Sequence, residues 1–248
     1  MTTQEFSIEF DILYNNLATN AAPHINAYEK SVFLTKAQSD IVVELYSGRN
    51  QLGLSFESNE EVREYLKTLI TQSTWGKLLE SAATKMVEGT PYYSVEVERP
   101  TDEAKNNVLF TIKEEIREAY TVANKITYKV YPVIPVTHDT LHNVLNNPFK
   151  GPKAGKRVLR LDEDKTKVTL YMANVPNTSY EYRETYLKYP SPIVIYEEGM
   201  EDLPIGYETV KHSSQECALP YSLHNMILER AVLLAKMAYV GGQTQLQQ

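Results

Sequence analysis

The chain has 248 residues, 42% of them hydrophobic and 23% charged, with a formal net charge of −7. A chain of that length buries a core without a disulfide or metal staple, and its acidity excludes a dedicated phosphate-backbone binder, because that affinity comes from neutralising phosphates. A single cysteine, Cys217, excludes an intrachain disulfide and a cysteine-based zinc site.

The first third reads as helical. Phe6, Phe10, Leu13, Tyr14 and Leu17 recur at three- and four-residue steps, the spacing of one helix face, before Thr19, Asn20 and Pro23 interrupt it. A longer helix is expected over 26–46, with Tyr28, Val32, Phe33, Ala37, Ile41 and Leu45 as its apolar stripe and Gly48 as a left-handed cap. A third starts at Ser58, which stands at capping-box spacing from Glu61, and buries Val62, Tyr65, Leu66, Leu69 and Ile70.

The middle changes period. Tyr93, Val95 and Val97, then Val108, Phe110 and Ile112, then Ile126, Tyr128 and Val130 each alternate with other residues, which predicts half-buried strands. Pro132 and Pro135 suit an edge or a strand end. A short helix over 139–145 stops before Pro148. Strands over 157–161 and 167–172 flank the turn Asp162-Glu163-Asp164-Lys165 as a hairpin, and a strand over 179–189 carries Tyr180, Tyr182, Tyr186 and Tyr189. A C-terminal helix runs from Ser222 or Leu223 to Tyr239. Residues 231–238 of it are apolar nearly all round, so most of its sides must be covered. Beyond Gly241 and Gly242 the polar tail over 243–248 is expected to fray.

The expected class is therefore α+β: an N-terminal helical domain (1–75), a central antiparallel β-sheet domain with an inserted helix (76–196), and a C-terminal segment with a long packing helix (197–248). No run approaches the roughly 20 apolar residues of a membrane span. Met1 is followed by polar residues rather than a basic-then-apolar signal.

Residues that could carry chemistry are few. His138 and His142 stand four apart on a predicted helix, but Asp139 follows the first where a zinc protease has Glu, and no third ligand is evident. Cys217 with His212 or His224 could imitate a thiol nucleophile and base, although a lone Cys is more often packed than reactive. The acidic clusters Glu60-Glu61, Glu114-Glu115 and Asp162-Glu163-Asp164 read as a helix start, a strand face and a turn. Phosphate-binding loops, dinucleotide fingerprints and nucleophile elbows are missing. No catalytic residue, metal or cofactor is expected.

Two features point to surfaces instead. The sequence holds 18 Tyr against 6 Phe and one Trp; Tyr populates strands and is also enriched where surfaces become buried yet stay partly wet. The Pro/Gly-rich connector over 147–153, with Lys150, Lys153, Lys156, Arg157 and Arg160, gathers cations in an acidic chain. It reads as a solvated loop or as a docking patch for an acidic surface or passing DNA.

Three stretches resemble the structural proteins of crAss-like tailed phages. They are Phe10-Asp11-Ile12-Leu13-Tyr14-Asn15-Asn16 with the run Tyr28 to Gln38; Thr137-His138-Asp139 with Asn146-Asn147-Pro148-Phe149-Lys150-Gly151-Pro152; and Cys217-Ala218-Leu219-Pro220 with Ser222-Leu223-His224 and Ile227-Leu228-Glu229-Arg230-Ala231-Val232. Their order along the chain matches, and together they cover about a fifth of it. Tyr221 stands where that pattern would have Glu. The resemblance implies a virion component of the head-to-tail connector, or neck, assembled in the host bacterial cytoplasm. Its partners would be itself as a homo-oligomeric ring, with twelvefold symmetry implied by attachment to portal protein, and other neck or tail proteins. At most it would touch passing DNA transiently, and it would touch no membrane.

Ring packing is head-to-tail and joins two different patches. Tyr180, Tyr182 and Tyr186, with Leu223, Ile227 and Leu234 of the terminal helix, are the residues expected at or beneath such an interface. The other readings are a tail-side or capsid-decorating subunit, a virion-packaged hydrolase and a cytoplasmic regulatory or nucleic-acid protein.

Overall fold

A computed structural model describes residues 1–17, 24–49, 53, 55–77, 85–98, 108–163, 167–174, 180–197, 203–205, 208–210 and 213–245. The helices are α1 (Thr3–Leu17), α2 (Ala27–Ser47), α3 (Glu60–Leu66), α4 (His138–Leu145) and α5 (His224–Gln245). The strands are β1 (Ile70–Gln72), β2 (Gly76–Lys77), β3 (Lys85–Met86), β4 (Tyr93–Glu98), β5 (Val108–Val122), β6 (Lys125–Val136), β7 (Val158–Asp162), β8 (Lys167–Met172), β9 (Tyr180–Lys188), β10 (Leu203–Ile205) and β11 (Glu208–Val210). The class is α+β. Two compact units form: one from residues 1–69 and 189–248, the other from 70–188. The interruption expected at Thr19, Asn20 and Pro23, the turn residues Asp164 and Lys165, and the last residues of the tail lie outside the described residues.

In the first unit α1, α2 and α5 pack together. Phe6, Phe10 and Tyr14 are buried on α1 as their spacing predicts, and Ala231, Val232 and Ala235 are buried on α5. Lys30 is buried on α2 and reaches Asp11 at 2.7 Å and Ser7 at 3.2 Å on α1. Arg230 on α5 grips both carboxylate oxygens of Glu44 on α2, at 2.7 and 2.8 Å. His224 is buried, and burial depresses its pKa.

The inward face of α2 differs from the expected stripe. Tyr28, Val32 and Phe33 are half-buried, whereas Lys30, Ser31, Leu34, Thr35, Ala37, Gln38, Ile41, Val42 and Leu45 are buried. The cause is the extended segment 191–195 lying against the helix. Val194 pairs with Gln215 through two backbone bonds, and the buried N–H groups of Ile193 and Ile195 donate to the hydroxyls of Thr35 (3.1 Å) and Ser31 (2.9 Å). The Gln38 amide donates to the Ser191 carbonyl at 2.7 Å, and Cys217 Sγ donates back to the Gln38 oxygen at 3.1 Å. Buried backbone donors need such partners, so polar residues win the inner face.

The ends of elements follow local chemistry. Asn26 and Glu29 form a reciprocal capping box on α2, and Gly48 takes the left-handed cap at φ 73°. A Cβ at Gly48 would stand 3.0 Å from that of Ser55, so only Gly fits there. Asn59, not Ser58, caps α3: its side chain accepts from Glu61 N–H at 2.7 Å, while the Ser58 hydroxyl is engaged with Ser55. The helix stops at Leu66, earlier than its apolar spacing predicts, because 67–69 tighten to a 3₁₀ turn and Ile70 starts β1. At the other end, α5 continues through Gly241 and Gly242 to Gln245. Each Gly costs about 1 kcal/mol of helix propensity, but unlike Pro it keeps the backbone donor.

The second unit is a sheet in the order β1-β9-β5-β6-β7-β8-β4-β3, with β2 also on β9. It is mostly antiparallel; β6 and β7 run parallel, because α4 connects them as a crossover. One face buries Val95, Val97, Ile116, Tyr131, Val133, Val158, Val168, Leu170, Met172, Tyr180 and Tyr182. The other, over β7 and β8, buries Leu159, Leu161 and Tyr171 with Leu145 of α4. Pro132 and Pro135 lie inside β6 rather than on an edge strand. They are tolerated because β6 changes partner there: residues 125–132 pair with β5, and 133–136 with β7.

Thr35→Val keeps the volume and removes the acceptor for the Ile193 N–H. It should lower the urea-unfolding stability of this unit by about 1–3 kcal/mol; an unchanged midpoint would contradict the role given to that hydroxyl. Burial pushes the Cys217 thiol up to about 11. Ellman's reagent at neutral pH should therefore label it about a hundredfold more slowly than an ordinary exposed cysteine, in proportion to its thiolate fraction. Rapid labelling of the native protein would show the thiol to be open.

Candidate assembly surfaces

The residues with chemical potential are engaged in structural contacts. His138 Nε2 meets the Asp162 carbonyl at 2.9 Å, and His142 Nε2 meets the Asn146 amide at 3.0 Å. No group of three or more His, Cys, Asp or Glu that could hold a metal occurs among the described residues; His212 lies outside them. Glu60 and Glu61 sit in the first turn of α3, where carboxylates complement the helix dipole. Glu114 lies inside the sheet unit, with Arg160 at 3.2 Å and the Tyr182 hydroxyl donating to it. Glu115 takes Lys113 at 2.5 Å and Arg183 at 2.7 Å; hydrogen bonds from both cations outweigh its burial and lower its pKa.

Of the expected basic patch, Lys150, Lys153 and Lys156 are exposed, but Arg157 and Arg160 are not part of that surface. Arg160 is buried between Glu114 and Asp162, because alternation along β7 points it into the core beside Val158. Arg157 folds back on its own loop, its Nε donating to the Gly151 carbonyl at 2.7 Å and its Nη2 to the Phe149 carbonyl.

Tyr180, Tyr182 and Tyr186 are buried within the sheet unit. Their neighbours explain part of the tyrosine excess, since each ring fills core while its hydroxyl finds a polar partner. Tyr131 donates to Glu118 at 2.7 Å, and Tyr182 to Glu114; burial, reinforced by these carboxylates, raises both pKa values. Leu223 and Ile227 are likewise buried, in the helical unit, and Leu234 is half-buried. These six residues therefore lie beneath the surface of the chain.

What the chain leaves uncovered lies elsewhere. Among the described residues β9 pairs with β5 as far as Glu118, and beyond that point β5 and β6 continue as a two-stranded ribbon. Residues 120–130 are all exposed. Tyr120, Val122, Ile126, Tyr128 and Val130 are 44–63% exposed, against the half-burial that the alternation of β6 predicts; alternation finds a face, not its cover. The ribbon closes through Ala123 and Asn124, both at positive φ (49° and 63°), the signature of a type I′ hairpin turn. Its base is stiffened by the Arg117 guanidinium, stacked 4.4 Å from the Trp75 centroid and 4.2 Å from that of Tyr128.

Two further surfaces stand out. On α5, Met226, Leu233 and Met237 are 49–64% exposed, and the first two border a groove of about 740 Å³ between α2, α3 and α5. On the sheet unit, Phe149 is 85% exposed at the tip of the basic connector. Contiguous apolar exposure of this kind is a feature of surfaces that bind partners. Periodicity cannot announce it, because exposure depends on where neighbouring elements end.

Comparison with known proteins gives the family of the chain. The family described as phage tail ring protein 3/4 matches residues 1–247. The chain is 33% identical to "Ring protein 3" of Bacteroides phage crAss001 over 95% of both chains. It is 29% identical to "Ring protein 4/5" of the same phage, over 97% of this chain and 94% of that one. The chain belongs to the phage tail ring protein 3/4 family and is a structural ring protein of the crAss-like phages.

Proposed function

We propose that the chain builds a homo-oligomeric ring of the virion neck, the head–tail connector between portal and tail, surrounding the DNA channel. The observation that carries self-assembly is the β5–β6 ribbon, apolar and exposed on both faces. A two-stranded ribbon is marginal on its own in water, so an arm of this kind gains its order by packing on a neighbour. Twelve copies would match a portal of that symmetry, and assembly would take place in the host bacterial cytoplasm. The net charge of −7 suits a channel wall that repels DNA and lets it slide. The role requires no catalysis, in keeping with carboxylates, histidines and a thiol that serve structural bonds.

The family description favours a second reading, a ring placed on the tail side. Contact with portal separates the two. In native mass spectrometry, a closed ring or a fixed-stoichiometry complex with portal supports the neck, whereas a ring indifferent to portal supports the tail side. A protein that stays monomeric with portal and with tail proteins alike would contradict both.

Val122→Asp combined with Ile126→Asp should leave the monomer folded by circular dichroism. If both side chains are buried on assembly, the change should weaken subunit association by about a hundredfold or more. Undiminished assembly of that variant would remove the ribbon from the interface.

A further inference from the structure

The connector that carries Phe149 is held rigid. Asn147 Oδ1 accepts from the N–H groups of Phe149 (2.9 Å) and Lys150 (3.2 Å), and the Asn147 carbonyl accepts from Gly151 at 2.8 Å. Arg157 closes the loop from behind through the carbonyls of Gly151 and Phe149. Gly151 is pressed against Tyr92, where an added Cβ would lie 2.7 Å from the hydroxyl. A phenyl ring that is 85% exposed on a loop fixed in this way is a preformed anchor: little conformational entropy remains to be lost when it binds. Exposed Lys150, Lys153 and Lys156 surround it.

The groove of the helical unit has the opposite character. Its floor is apolar, with Ile41, Leu45, Val62, Met226 and Leu233. Its rim carries Glu61 and Glu229, both exposed, while the charge of Glu44 is met by Arg230. At about 740 Å³ it is a ligand-sized cleft, wide enough to admit the Phe149 ring together with part of its loop. An aromatic anchor filling a pocket, surrounded by matched charges, is how protein interfaces concentrate their binding energy.

We propose that Phe149 of one copy docks in the α2–α3–α5 groove of a second copy, with Lys150, Lys153 and Lys156 facing Glu61 and Glu229. Two different patches of one chain then meet, which is the head-to-tail contact that a closing rotation turns into a ring. The docking rests on the ring reading and adds the residues of one contact to it. Duplex DNA would satisfy the lysines but offers no apolar pocket for the ring.

Single-cysteine chains that keep Phe149 and the apolar floor test this in a Cys217→Ser background, one carrying Lys156→Cys in the basic patch and the other Ser222→Cys at the groove. They are mixed under assembly conditions and treated with a short bismaleimide, with native mass spectrometry of the wild type run alongside. Because each chain has one thiol, a cross-link between the two variants is necessarily intermolecular. The docking predicts a mixed covalent dimer as a major product. Adding Lys150→Glu and Lys153→Glu to the first chain should lower the yield by about tenfold through like-charge contact, and Glu61→Lys with Glu229→Lys in the second should restore it. Assembly without the mixed cross-link overturns the docking and leaves the ring reading standing; absence of both overturns the two together. Equal yields from all charge combinations would overturn the lysine–glutamate register.

Discussion

The backbone of residues 191–195 has to be satisfied after the chain leaves β9, and α2 provides the means. Val194 finds Gln215 on one side; on the other, Ile193 and Ile195 donate to hydroxyls carried by a helix more than 150 residues earlier in sequence. Ser31, Thr35 and Gln38 thus act as a substitute for a neighbouring strand. Ile193 and Val194 are fully buried against them, so each lost bond would strand a donor away from water. This network ties α2 to the segment 191–195 and to Cys217 ahead of α5.

The sheet unit solves a different problem. Its core faces are covered, one by the two limbs of the sheet itself and the other by α4, and the buried ion pair of Glu114 and Arg160 is enclosed with the Tyr182 hydroxyl donating to Glu114. Yet the strands continue past their cover. Among the described residues β5 outlasts β9, and β6 follows it, so the ribbon beyond Glu118 exposes apolar side chains on both faces. A protein acting as a monomer would carry that ribbon as a liability. On the ring reading proposed above, the same exposure would be used in assembly, and tyrosine would serve both purposes: rings with bonded hydroxyls inside, rings with wet edges on the ribbon.

Much of this organisation is legible in the sequence. Three- and four-residue spacing locates α1 and α2, two-residue alternation locates β4, β5 and β6, and Gly48 marks its cap. The face of α2 was hidden because hydrophobic spacing favours Val32 and Phe33, whereas the buried side is fixed by backbone donors 160 residues away. Ser31, Thr35 and Gln38 do recur at helical spacing, and that polar row is the signal a reader could follow. The basic connector is visible as composition, but only its geometry separates Lys150, Lys153 and Lys156 from Arg157, which braces the loop, and Arg160, which is core. The ribbon is visible as strands and invisible as a surface, since the length of β9 decides where cover stops.

Hydrogen–deuterium exchange of the ribbon, free and assembled, tests the central claim most directly. Among the described residues, 119–128 pair only with their own hairpin partner, so their amides should exchange rapidly in the isolated chain. If the ribbon is what neighbouring copies cover, those amides should become strongly protected in the ring while β7 and β8, buried throughout, change little. Equal exchange of the ribbon in free and assembled protein would contradict the account and move the interface elsewhere on the chain.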